Sequence, residues 1–158
     1  MPRKKTKSLK RTITPDVKYQ SVLVAKLINK VMKDGKRSLA ERLVYGAFDI
    51  VKEKTKADPV VVFEEAVKNI APALQVKSRR IGGANYQIPV EVKGDRRIHL
   101  ALTWMLIAAR ARSGAGFDKL LADEILSAKD SQGEAVRKKE ETHKMAESNK
   151  AFAHFARY

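Results

Sequence analysis

Residues Gln75–Val92, QVKSRRIGGANYQIPVEV, break a pattern that reads as helix on both sides. Two short runs suited to β-structure flank Gly82-Gly83, which is the signature of an antiparallel hairpin. Side chains alternate along a strand, so Val76, Ser78 and Arg80 fall on one side of the first run and Lys77, Arg79 and Ile81 on the other. In the second run Tyr86, Ile88 and Val90 share a face. Pro89 fits only an edge strand, and in a two-stranded ribbon both strands are edges. No other segment reads as a partner strand. A lone ribbon is marginal in water, so this one leans on a helical body or is completed from outside. Lys77, Arg79 and Arg80 mark that outside partner as anionic.

Upstream, Val24, Leu27, Ile28 and Val31 follow the i, i+3, i+4, i+7 rule, and a helix begins near Ser21. Asp34-Gly35 ends it, with the glycine as a left-handed cap. Ser38 and Glu41 read as a capping box for a second helix. Its stripe is Leu39, Leu43, Ala47 and Ile50, widened by Val44, Phe48 and Val51, so this helix is expected to be central. Asp58-Pro59 starts a third helix with a cap and a first-turn proline. Phe63, Ala66, Val67 and Ile70 carry it to Pro72, which stops it.

Downstream, Gly94-Asp95 leads into the most apolar helix. Ile98, Ala101, Leu102, Met105, Leu106 and Ala109 form one face, and Leu100, Trp104 and Ile107 cover much of the rest. A helix apolar nearly all round is expected in the middle of the domain. Phe117, Leu120, Leu121, Ile125 and Ala128 make a fifth helix. Gly133 separates it from a sixth, roughly Glu134 to Ser148. That helix is polar all round, with Glu134/Lys138 and Glu140/Lys144 spaced for ion pairs, and reads as surface. The sum is a mainly α single domain over residues 1–158, with about six helices and a protruding hairpin between the third and fourth. A basic arm covers residues 1–19, the hairpin 75–92 and a tail 149–158.

The chain has 158 residues, 44% hydrophobic, with a net charge of +15. That supports a real core together with a polyanionic partner. No apolar run spans a bilayer, and no membrane partner is expected. There are no cysteines, which removes disulfides, thiolate metal sites and thiol nucleophiles together. His99, His143 and His154 are too scattered for a metal or catalytic motif. Gly35-Lys36-Arg37-Ser38 fails as a phosphate-binding loop, because Lys30 stands where its first glycine belongs and a helix precedes it. Gly114-x-Gly116 has Lys119 in place of the third glycine of a dinucleotide fingerprint. Glu64 and Glu65 are neighbours on one helix and face no cleft. The chain is therefore expected to be no enzyme and to hold no cofactor and no metal.

The candidate nucleic-acid groups are cationic. Arg3, Lys4, Lys5, Lys7, Lys10 and Arg11 precede any acid and suit an arm that orders along phosphates. Lys33, Lys36 and Arg37 form a basic corner, which by itself is also what a solvated turn looks like. Arg96 and Arg97 sit at the positive end of their helix, where the dipole gives no reason for them. Arg110 and Arg112 sit at the other end, where it does. In the tail, Lys150, Phe152, His154, Phe155, Arg157 and Tyr158 interleave cations with aromatics. Two readings stay open for it: stacking on nucleic acid, or docking on the body through Phe152 and Phe155.

The stretches PDVKYQSVLVAKLINKVMKDGKRSLAERLVYGAFDIV, VKSRRIGGANYQIPVEV, RRIHLALTWMLIAARARSG and HKMAESNKAFAHF together resemble the bacterial small-subunit ribosomal protein seven family, over almost the full length. The resemblance implies a helical domain with a protruding hairpin that binds the 3′ major domain of small-subunit ribosomal RNA and nucleates assembly of the subunit's head. It implies a place at the subunit interface near the decoding centre, beside the exit-site tRNA and the mRNA exit path, in the cytoplasm. It implies contacts with small-subunit proteins nine and eleven. In some bacteria the family protein also represses its own messenger. On this reading the arm, the basic corner and Arg96, Arg97, Arg110 and Arg112 meet ribosomal RNA. Lys77, Arg79, Arg80, Gly82, Gly83, Asn85 and Tyr86 of the hairpin lie near tRNA and mRNA. So do His143, Lys144, Lys150, Phe152, His154 and Arg157 at the C-terminal end.

Overall fold

The computed structural model describes residues 12–157, with side chains through Phe155. In chain order the elements are α1 (Val22–Val31), α2 (Arg37–Thr55), α3 (Pro59–Ile70), β1 (Leu74–Ile81), β2 (Ala84–Glu91), α4 (Gly94–Ala111), α5 (Phe117–Lys129), α6 (Glu134–Ser148) and a 3-10 helix, Lys150–Arg157. The arm residues Arg3, Lys4, Lys5, Lys7, Lys10 and Arg11 lie outside the described residues, as do Tyr158 and the side chain of Arg157.

The core runs through all six α-helices, with Phe48, Phe63, Leu27, Ile28, Met105 and Ile125 among its fully buried side chains. Burying each such side chain contributes roughly 1.5–3 kcal/mol. Phe48 and Phe63 join α2 to α3, with ring centroids 5.4 Å apart. The hub is α5, which packs against α2, α3, α4 and α6. Sequence periodicity places α2 and α4 at the centre instead. In α4 that expectation fails at Ile107, which is 60% exposed, because the face shared with Arg96, His99 and Arg110 looks outward. In α2 the buried line is Ala40, Val44, Ala47, Phe48 and Val51, and Leu39 turns out to solvent.

Helix ends show where local signals are and are not decisive. Ser21 caps α1 from its side chain, and Asp58 caps α3 ahead of Pro59, as expected. The glycine cap of α1 does not form: the helix ends at Val31 with an extended Met32, and Asp34 and Gly35 take positive φ in the turn beyond. The capping box also fails. The N-cap of α2 is Lys36, Ser38 lies inside the first turn, and Glu41 pairs with Arg37 at 2.7 Å.

Several helix C-termini are closed by side chains from other helices. Orphan carbonyls at a helix end need donors. Arg110 donates to Val31 O (3.2 Å), Lys139 to Asn69 O (2.7 Å), and Asn69 to Ala128 O and Lys129 O (3.0 and 2.8 Å). At the entry, buried Asp16 accepts from the N–H groups of Lys18 and Tyr19 and from the Tyr45 hydroxyl (2.7 Å). Burial and that carboxylate push the Tyr45 hydroxyl up to about 12. This fastens the chain to α2 before α1 begins. Sequence periodicity gives no sign of this role for Asp16, which falls within the stretch read as the basic arm.

The strands pair antiparallel, from Leu74↔Glu91 to Ile81↔Ala84. The register leaves Gly82 and Gly83 as the two-residue turn, with φ of 56° and 90°. A turn with φ positive at both central positions matches the strands' own twist, and glycine takes it without strain. Lys77, Arg79, Tyr86 and Ile88 share one face. That face does not stand free: α6 packs along both strands, and the 3-10 helix lies on β2.

Candidate nucleic-acid interface

Three cationic regions are built from different elements. The first lies between α1 and α4. Lys26 and Lys30, one turn apart on α1, line a groove of about 510 Å³ together with Asp95 and His99 of α4. Lys30 Nζ donates to Thr103 Oγ1 at 2.6 Å and lies 3.5 Å from His99 Nε2, while Lys26 pairs with Asp95 at 2.8 Å. Burial first, then the nearby Arg96, pulls the Lys30 ammonium down. Burial, then Lys30 and Arg96, pulls the His99 imidazole down. Positive charge is thus crowded at this edge, which suits an anionic partner. Sequence reading takes Arg96 from this cluster and misses Lys26, Lys30 and His99. The signal is present as i, i+4 spacing in α1 and as i, i+3, i+7 spacing of Arg96, His99 and Thr103 in α4.

The second region is the corner between α1 and α2. Lys33, Lys36 and Arg37 are exposed there. Arg110 reaches the same corner from the end of α4 by its bond to Val31 O. Its partner is the carbonyl end of α1, so its helix-dipole role is played toward a neighbour. Arg112 is different. It bonds the fully buried Glu124 Oε2 at 2.6 Å, and Glu124 Oε1 accepts from the N–H of Ala135 at 3.0 Å. One carboxylate thereby ties the ends of α4 and α6 to α5. Gly133 has φ +93, a conformation that favours glycine, and a Cβ there would also crowd Glu124 Oε1 at 3.0 Å.

The third region joins hairpin and tail. Tyr86 meets Phe152 and Phe155 with centroids at 5.2 and 5.5 Å, and Arg79 donates to Phe155 O at 3.3 Å. The two tail phenylalanines pack on the hairpin, a different element from the helical body that the docking reading names. Beside them Arg79, Arg80, Ile81, His154 and Phe155 line an open groove of about 600 Å³. Lys77, Asn85, Lys144 and Lys150 are exposed. His143 is not at this surface edge alone. Its Nε2 accepts from the N–H groups of Ala73 (3.0 Å) and Leu74 (3.5 Å), tying α6 to the start of β1. Burial, then Lys139 and Arg97, holds its pKa below the usual histidine value.

Helix α6 is less superficial than its polarity suggests, because Ala135, Val136, Thr142 and Ala146 are buried. Small residues at those positions let it approach α4 and the hairpin closely. Its ion pairs are Arg137 with Glu134 and Glu141, and Lys138 with Glu141, in place of the expected partners.

The surface so described is a helical body with cations on several sides and one basic ribbon carrying an aromatic tail. Comparison with known proteins finds similarity over nearly the whole chain. Residues 2–150 match the family described as ribosomal protein S7p/S5e. The small ribosomal subunit protein uS7 of Thermotoga petrophila is 57% identical over 145 residues, covering 92% of this chain and 94% of that protein. The proteins of the same name from Carboxydothermus hydrogenoformans and Thermodesulfovibrio yellowstonii are 58% and 54% identical over 146 residues, with the same coverage of both chains. The chain belongs to the ribosomal protein S7p/S5e family.

Proposed function

We propose that this chain is a structural constituent of the small ribosomal subunit of bacteria, working in the cytoplasm, that binds the 3′ major domain of ribosomal RNA directly and nucleates assembly of the head. The observation that carries the reading is the Lys30–Arg96–His99 cluster, two cations and an imidazole held at a groove between two packed helices. A rigid cluster of this kind suits backbone and sugar contacts, through which structured RNA is mostly recognised. Hairpin and tail then lie toward exit-site tRNA and the mRNA exit path near the decoding centre. Small-subunit proteins nine and eleven are the protein neighbours.

The test is equilibrium binding of a 3′ major domain transcript, in competition with duplex DNA of equal charge. The transcript is expected to win clearly, with affinity falling with salt at a log–log slope of roughly 0.7–0.9 per neutralised phosphate. Equal competition by the DNA would indicate an architectural DNA-binding protein. A flat salt dependence would remove the cationic surface from the account.

A further inference from the structure

Four helix ends converge on one open pocket: the C-termini of α1 and α4 and the N-termini of α2 and α5. Its volume is about 330 Å³, at the small end for ligand pockets. Val31, Met32, Ala40 and Leu43 line it, with Leu39 and Phe117. Leu39 is 46% exposed although it belongs to the first turn of a packed helix. Lys33, Lys36 and Arg110 stand around the same space, with Asp34 the one acid lining it among the described residues. Arg110 bonds Val31 O through one nitrogen, and a guanidinium carries five N–H donors in all.

We propose that this pocket receives a single unpaired nucleobase of the bound RNA, with the flanking phosphates on Lys33, Lys36 and Arg110. The inference rests on the RNA-binding reading above and assigns it a specific recess. The pairing of surfaces selects the occupant. A nucleotide presents a flat heterocycle at a fixed short distance from a negative charge, and the pocket presents apolar and aromatic walls at a short distance from cations. A purely apolar partner side chain would offer nothing to the three cations, which outnumber the acid beside them. A base also stacks on apolar or aromatic surface through its flat face, whichever base it is. Asp34 can accept from an exocyclic amino group at the rim.

The experiment uses the full chain, labelled on its Leu, Val and Met methyl groups. It is titrated with a short RNA stem carrying one bulged adenosine, and separately with the same stem fully paired. The bulged stem is expected to shift the methyls of Leu39, Leu43 and Val31, and the paired stem to leave them in place. Leu39→Trp, which plugs the mouth from a half-exposed position, is expected to weaken the bulged stem about tenfold and the paired stem by less than about twofold, the loss of one stacked base. Pocket methyls that stay still while both stems bind, or that move equally with both, overturn the proposal. So does a folded Leu39→Trp chain that binds both stems like the parent. If that variant fails to fold, the parent's methyl shifts decide alone. Failure of both stems to bind while the 3′ major domain transcript binds also overturns the proposal, and failure of the transcript as well removes the RNA-binding reading itself.

Discussion

The Glu124 carboxyl is fully buried, held by Arg112 and by the N–H of Ala135. A buried carboxylate left without its partner is strongly destabilising. The Arg112 side chain keeps 35% exposure, so Arg112→Ala is expected to cost about 2 kcal/mol, within the range for a charged hydrogen bond, in urea unfolding. Its affinity for RNA should hardly change, since the guanidinium is committed inward. A stable variant with crippled RNA binding would reverse that assignment. His143 has a pH consequence. Its Nε2 accepts from two backbone N–H groups, so the folded ring is neutral, and its pKa lies below the ordinary 6.5 because of burial, then Lys139 and Arg97. The unfolded chain takes up a proton that the folded ring resists. Stability is therefore complete above about pH 6.5 and falls as pH drops through the folded value. His99 acts in the same direction. NMR titration should place both midpoints below 6.5, and His143→Gln should remove part of the acid loss. A His143 midpoint above that value would mean that the ring is not the acceptor described. Neither residue's role was legible in the sequence. Arg112 and Glu124 are twelve positions apart and His143 and Ala73 seventy, and periodicity carries no information about such pairs.

At the scale of elements, the hairpin was legible because its period and its glycine pair are local, and structure moves its strands by only one residue. What was illegible is its support. The sequence leaves the ribbon without a partner strand, and the structure covers one face with α6 and the tail. Tyr86→Ala removes the ring that both tail phenylalanines touch. Aromatic pairs contribute roughly 0.5–1.5 kcal/mol each beyond burial. The tail should therefore become sensitive to protease while the helical core melts within a few degrees of the parent. A tail that stays protected would show that the aromatic contacts do not hold it. Arg79 has a share in the same junction through Phe155 O, so Arg80→Ala is the cleaner probe of what the ribbon meets outside the chain. The capping box fails because α2 starts before Ser38 and Glu41 pairs with Arg37; the outer stripe of α2 fails for a different reason. A pattern tells how wide an apolar face is, whereas the neighbours α1, α3 and α5 decide which part of it is covered.

For the whole molecule, +15 of net charge is spread over a body held together mainly by apolar helix packing. Some cations are turned inward as helix-end donors or carboxylate partners, and composition alone could not separate these from the outward ones. No helix among the described residues is long and apolar enough to cross a membrane. On the proposed reading the rigid body is the anchor on ribosomal RNA, and the ribbon with its tail is the part that reaches RNA passing by. The direct measurement is affinity for the 3′ major domain transcript by the double variant Lys30→Ala, Arg96→Ala and by Arg80→Ala. The body variant is predicted to bind at least about tenfold more weakly, with the salt slope reduced by roughly 0.7–0.9 for each phosphate it no longer neutralises, while Arg80→Ala stays within about twofold. The reverse order would contradict this division of labour, because the ribbon would then be the anchor.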